Sequence, residues 1–178
     1  MKRRSWAALA ALLLVFSLSL CVHGLPAGEG TEQDVPQRGP QEPQSSSHGL
    51  LRWEGASLLL TEPEAGCEAF LSVDPVEEIA GRNPQAEVYF RCFSGDEGLP
   101  CRAVLTLENP YLEGEGPAPL PEDCRLYSLA KDGSLLDVTS LFTYVAEDED
   151  GNQIDGWRTK VWTLGSYVIA DCDLEDEA

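Results

Sequence analysis

The chain has 178 residues and a formal net charge of -19, with 31 acidic residues against 12 basic ones. Counterion release cannot drive binding to phosphates when so few cations are present, so nucleic acid is not an expected partner, and an anionic membrane surface would repel the domain. The only two histidines, His23 and His48, precede every expected core element, so a Ser-His-Asp or Cys-His arrangement has no imidazole within the fold.

The first residues point to export. Lys2, Arg3 and Arg4 precede an apolar run from Trp6 to Val15 that continues, with two serines, to Val22. This is the layout of a charged n-region followed by an h-region, with cleavage expected after Gly24. An uncleaved anchor is one alternative, because about 17 apolar residues is the lower limit for a bilayer span. A lipoprotein is the other, through Leu18-Ser19-Leu20-Cys21. Each version places the rest of the chain outside the cytoplasm. Removing the three cations with residues 1–24 leaves 9 basic residues against 31 acidic ones, for a charge of about -22.

Residues 25–49 hold Pro, Gln, Glu, Ser and Gly with almost nothing apolar, and so are expected to be a disordered leader or stalk. Residues 50–174 are long enough for one core and too short for two. Residues 175–178 form an acidic tail.

Within the domain the pattern is that of strands. Val88, Phe90 and Cys92 share one face of 87–93, and Cys101, Ala103, Leu105 and Leu107 share one face of 101–108, both with period two. The short Gly- and Pro-containing loop between them reads as a hairpin. Further strands are expected at 57–61, 67–73, 125–130, 141–146, 157–162 and 166–171. Asp132-Gly133 and Asp150-Gly151 serve as turns that accept positive φ. A short helix is expected at 75–80, with Pro75 at its first position. In 166–171, Tyr167 and Ile169 alternate with Val168 and Ala170, all apolar, which marks a central strand covered on both sides. The fold class these elements imply is all-β, a single antiparallel β-sandwich, Ig-like in architecture.

The stretch from Cys124 to Asp171 resembles the closing segment of small β-rich modules found in secreted and surface proteins of Gram-positive gut bacteria. The matching residues are Leu126, Tyr127, Asp132, Gly133, Leu135, Asp137, Leu164, Gly165, Tyr167, Val168, Ile169 and Asp171. The match covers the last third of the chain. What the resemblance implies is a fold and a location outside the cell; it carries no active site.

Five cysteines follow the export segment: Cys67, Cys92, Cys101, Cys124 and Cys172. Cys92 and Cys101 face one side of strands joined by a short loop, and Cys124 and Cys172 flank strands at one end of the domain, so these two pairs are the expected disulfides. No cysteine spacing fits a zinc site, so no metal is expected. Asp148, Asp150, Asn152 and Asp155 suggest a calcium loop, but Gln153 and Thr159 stand where an EF-hand needs Gly and an acid. No cofactor is implied.

Aromatic side chains are the candidate binding residues, since they stack on sugars and anchor protein partners. They are Trp53, Tyr111, Trp157 and Trp162. Trp157 and Trp162, five apart on one strand, would point to opposite faces, one inward and one outward. The function expected from sequence is a non-catalytic extracytoplasmic interaction or structural domain of a bacterial cell envelope, with an envelope protein or carbohydrate as partner. The alternative is a small carboxylate-dependent hydrolase acting on envelope or host glycans or peptides, because paired acids need no imidazole.

Overall fold

A computed structural model describes residues 39–46, 48–95, 98–114, 116–147 and 151–175. The export segment 1–24, the leader as far as residue 38, Asp148, Asp150 and residues 176–178 of the tail lie outside these. The described residues hold eleven strands: β1 (Gln44–Ser45), β2 (Leu50–Trp53), β3 (Ala56–Leu60), β4 (Ala69–Ser72), β5 (Val88–Gly95), β6 (Ala103–Glu108), β7 (Arg125–Leu129), β8 (Leu135–Asp137), β9 (Thr143–Glu147), β10 (Gln153–Val161) and β11 (Ser166–Ala170). One helix, α1 (Glu77–Arg82), stands between β4 and β5.

The strands form two antiparallel sheets, ordered β1-β2-β3-β6-β10-β9 and β4-β5-β11-β7-β8. Period-two alternation aims one face of each at the other. Leu58, Leu105 and Leu107 from the first sheet and Leu71, Leu126 and Ile169 from the second share one core and are fully buried. Each such side chain contributes about 1.5–3 kcal/mol by leaving water. The result is the antiparallel sandwich that the pattern implies.

The five-stranded sheet is covered on its outer side as well. Ile79 of α1 packs with Phe90, Tyr127, Leu135, Val168, Ala170 and Leu174 in a second cluster. This is why β11 is apolar on both faces: Ile169 enters the sandwich, whereas Val168 and Ala170 meet the helix layer. Two buried polar groups hold that layer down. Asn83 Nδ2 donates to Ile79 O at 3.1 Å while its Oδ1 accepts from Glu175 N at 2.9 Å, and Leu174 N donates to Tyr127 Oη at 2.9 Å. Among the described residues no helix is long and apolar enough to cross a membrane.

Several expectations need correction. The loop between β5 and β6 is not a hairpin, because the two strands belong to different sheets and the chain crosses the sandwich there. The helix begins two residues later than expected, at Glu77, with Val76 as its N-cap. The sandwich begins before residue 50: Gln41 bridges Leu71 of β4, and Gln44 and Ser45 pair with Arg52 and Leu51 of β2. Strands β2 and β8 were not foreseen as strands, each being only three or four residues long. At Asp132-Gly133 the turn is as expected, with Gly133 at φ +86.

The expected disulfides are absent: Cys92, Cys101, Cys124 and Cys172 each keep a thiol. Cys92 faces the helix layer, whereas Cys101 lies inside the sandwich. In the second pair, β11 and β7 run with Ala170 opposite Arg125. Continuing that register sets Cys124 against Asp171, so Cys172 falls one position away and on the opposite face. Burial pushes the Cys124 thiol up to about 11, the nearby Asp171 and Asp123 carboxylates adding to the effect.

Candidate functional site

The four aromatic candidates separate cleanly. Trp53 is buried edge-on against Phe93, with ring centroids 5.4 Å apart, and Trp157 is buried edge-on against Tyr144 at 5.4 Å. Tyr111 is buried too, its hydroxyl donating to Glu87 O at 2.7 Å and its ring meeting Tyr89 at 5.1 Å. Trp162 alone is exposed, with 64% of its surface open to solvent. It follows Val161, which pairs with Ala103 at the start of β6.

At the other end of β6 the structure builds a pocket of about 380 Å3 that none of the four aromatics lines. Its walls come from five places: Glu54 and Gly55 in the β2–β3 turn, Val73 after β4, Tyr89 and Arg91 on β5, Glu108 and Asn109 at the end of β6, and Pro110, Glu113 and Gly114 around the 3₁₀ turn Pro110–Glu113. Asn109 caps that turn, its side-chain oxygen accepting from Tyr111 N at 3.1 Å, which fixes the turn on the pocket's rim. The rim is also held from β10, where a bulge between Gln153 and Gly156 leaves Asp155 at φ +44. Asp155 O accepts from Asn109 N at 2.8 Å, and Asp155 Oδ1 accepts from Tyr144 Oη at 3.1 Å.

Arg91 is the unusual member. Strand parity puts Tyr89, Arg91 and Phe93 on the sandwich side of β5, so a guanidinium projects between the sheets and only 6% of the residue is exposed. Its Nε donates to Gly55 O at 3.0 Å and its Nη1 to Phe90 O at 2.8 Å. Gly55 O also accepts from Glu108 N at 3.0 Å, so one carbonyl ties β6, the β2–β3 turn and β5 together. Gly55 takes φ +82 and passes so close to the guanidinium that a Cβ there would lie 2.5 Å from Nη2.

Arg91 has no ion-pair partner among the described residues, and none of their acceptors takes its Nη2. Burial lowers its affinity for its proton, and the carboxylates of Glu108 and Glu54 act against that, with Tyr89 and Glu113 contributing less. A charge withdrawn from water without a counter-charge costs several kcal/mol, so the guanidinium is stabilised only by dipoles and by acids at a distance. Tyr89 is held beside it, its hydroxyl donating to Glu87 at 2.6 Å; burial and that carboxylate raise it to about 12.

A second concavity, of about 350 Å3, lies on the solvent face of the six-stranded sheet. Arg52, Ser57, Thr106 and Arg158 form one cross-strand row there, and Arg158 Nε donates to Thr106 Oγ1 at 3.3 Å.

No protein-family model, curated protein or solved structure matches the chain. The reading of the site therefore rests on its own geometry. Sequence reasoning missed Arg91 because a charged residue inside an alternating strand reads as the solvent face. The signal that could have found it is its flanks: Tyr89 and Phe93 stand two residues to either side, and a face bearing two aromatics is an inward one.

Proposed function

We propose that this chain is a non-catalytic interaction domain of a bacterial cell envelope, acting outside the cytoplasm, and that it receives its ligand in the pocket at the Glu108 end of β6. The observation that carries this reading is Arg91. A guanidinium buried to this degree, in no direct ion pair and opening into a pocket, is a cost to stability that a purely structural sandwich has no reason to keep. The pocket volume also lies within the range of small-molecule sites, near its lower end. The export signal and the resemblance of residues 124–171 to surface modules support the location. Titration followed by two-dimensional NMR of the 15N-labelled protein tests the reading: envelope-derived fragments should move the resonances of Gly55, Tyr89, Arg91 and Asn109 together. Shifts confined to Trp162 and its neighbours would move the site to the opposite end of β6.

One observation favours a second reading. Glu54, Glu108 and Glu113 line the same pocket, and carboxylates are all that a small hydrolase of glycans or peptides requires. Turnover of a glycan or peptide substrate that disappears in Glu108→Gln, with the fold intact by circular dichroism, would establish that reading over the first.

A further inference from the structure

The charges of the pocket narrow its ligand further, given the reading of that pocket as the binding site. Arg91 supplies one cation whose Nη2 lacks an acceptor among the described residues, while Glu54, Glu108 and Glu113 supply three carboxylates around it. A planar guanidinium with free N–H groups takes a carboxylate by paired, charge-assisted hydrogen bonds. A simple anion would nevertheless enter a lining in which acids outnumber the single arginine. A simple cation would be drawn to the glutamates and leave the guanidinium unmatched. Only a ligand bearing both signs answers both halves of the site, and one with more ammonium than carboxylate balances it best. Val73, Tyr89 and Pro110 line the same space and offer apolar surface to a short methylene chain. The volume suits one residue-sized molecule better than a polymer.

We infer that the pocket binds a basic α-amino acid, free or as the C-terminal residue of a peptide, with its carboxylate on Arg91 and its ammonium groups toward Glu54, Glu108 and Glu113. The acidic cluster alone would not specify this. The buried arginine turned into the same cavity does.

Calorimetric titration with a graded set of probes tests the inference. L-Lysine carries one carboxylate and two ammonium groups, 1,5-diaminopentane is lysine without its carboxylate, 6-aminohexanoate lacks the α-ammonium, and acetate has the carboxylate alone. Glycyl-lysine distinguishes a peptide terminus from a free amino acid. Lysine or glycyl-lysine should bind at least tenfold more tightly than diaminopentane and acetate, with 6-aminohexanoate between. Arg91→Leu should erase the preference for lysine over diaminopentane, weakening lysine and tightening diaminopentane, since the cation that repels the diamine is gone. Diaminopentane binding as tightly as lysine to the unaltered protein would overturn the inference, and this comparison needs no variant to fold. Glucose and glucuronate complete the set: if either binds at the pocket and lysine does not, the ligand class assigned here is wrong while the pocket remains a binding site. If no probe at 10 mM moves the resonances of Gly55 and Arg91, the pocket is not a site for small ligands, and both readings fall.

Discussion

The contact between Gly55 and Arg91 can be measured without knowing the ligand. Gly55→Ala places a methyl group 2.5 Å from Nη2, 2.6 Å from Nε and 2.7 Å from Cζ of Arg91. It also asks an alanine to hold φ +82. The backbone term alone costs about 1–2 kcal/mol. Displacing the guanidinium sacrifices the Nε bond to Gly55 O, and a hydrogen bond made by a charged group is worth about 1.5–3 kcal/mol. Gly55→Ala should therefore cost about 2.5–5 kcal/mol in the unaltered protein. In an Arg91→Leu background the guanidinium is gone and only the backbone term of about 1–2 kcal/mol remains. The coupling read from the double-mutant cycle is then about 2 kcal/mol, well above the ~0.5 kcal/mol scatter of independent sites. Urea denaturation followed by tryptophan fluorescence supplies all four stabilities. Equal costs for Gly55→Ala in the two backgrounds would refute the packing of Arg91 against this turn.

The remaining expectations concern the layers and the titrating groups. Val168→Asp should prevent folding as completely as Ile169→Asp, since each buries an unpaired carboxylate; a soluble, cooperative Val168→Asp protein by circular dichroism would mean that the helix layer does not cover β11. In the native protein at pH 8, Ellman's reagent should leave Cys101 and Cys124 unmodified, because both are buried and the Cys124 thiol is raised to about 11, whereas both should react in denaturant. Rapid native labelling of Cys124, read by peptide mass mapping, would contradict its burial. Stability should fall at alkaline pH, because the native chain holds protons that the unfolded chain releases. Cys124 moves from 9.0 to about 11 and Tyr89 from 10.0 to about 12, so the contribution is complete below pH 9 and is lost between about pH 9 and 12. A urea midpoint unchanged from pH 8.5 to 11 would remove that linkage.

Much of the sandwich was legible because its strands obey one strong rule. Leu105 and Leu107 on β6 announce their face through alternation alone, and the unbroken apolar run of β11 announces cover on both sides. What alternation does not carry is which sheet a strand joins. The short loop after β5 looked like a hairpin, and from that error came the expected Cys92–Cys101 bridge; the loop crosses between sheets because β5 pairs with β4 and β11 while β6 pairs with β3 and β10. Local sequence has no term for that choice, which is made by the global packing of both sheets. Trp157 lies inside and Trp162 outside, but Trp162 stands past the end of β10, in a bend, so strand parity does not account for its exposure. The site was not readable, because Gly55, Arg91 and Glu108 are far apart in sequence and meet only when the β2–β3 turn closes over the end of the sandwich.

The run from Gln41 to Ser45 has a further consequence. It touches the rim strand of each sheet, meeting β4 at Leu71 and β2 at Leu51 and Arg52, so it acts as a hem along one open seam. On the opposite seam β8 is only three residues long and β9 faces a strand kinked by a bulge. Long, straight rows of unpaired amides are what let copies of a β-protein zip together into fibrils. Among the described residues neither seam offers such a row, which disfavours edge-to-edge growth of this acidic sandwich.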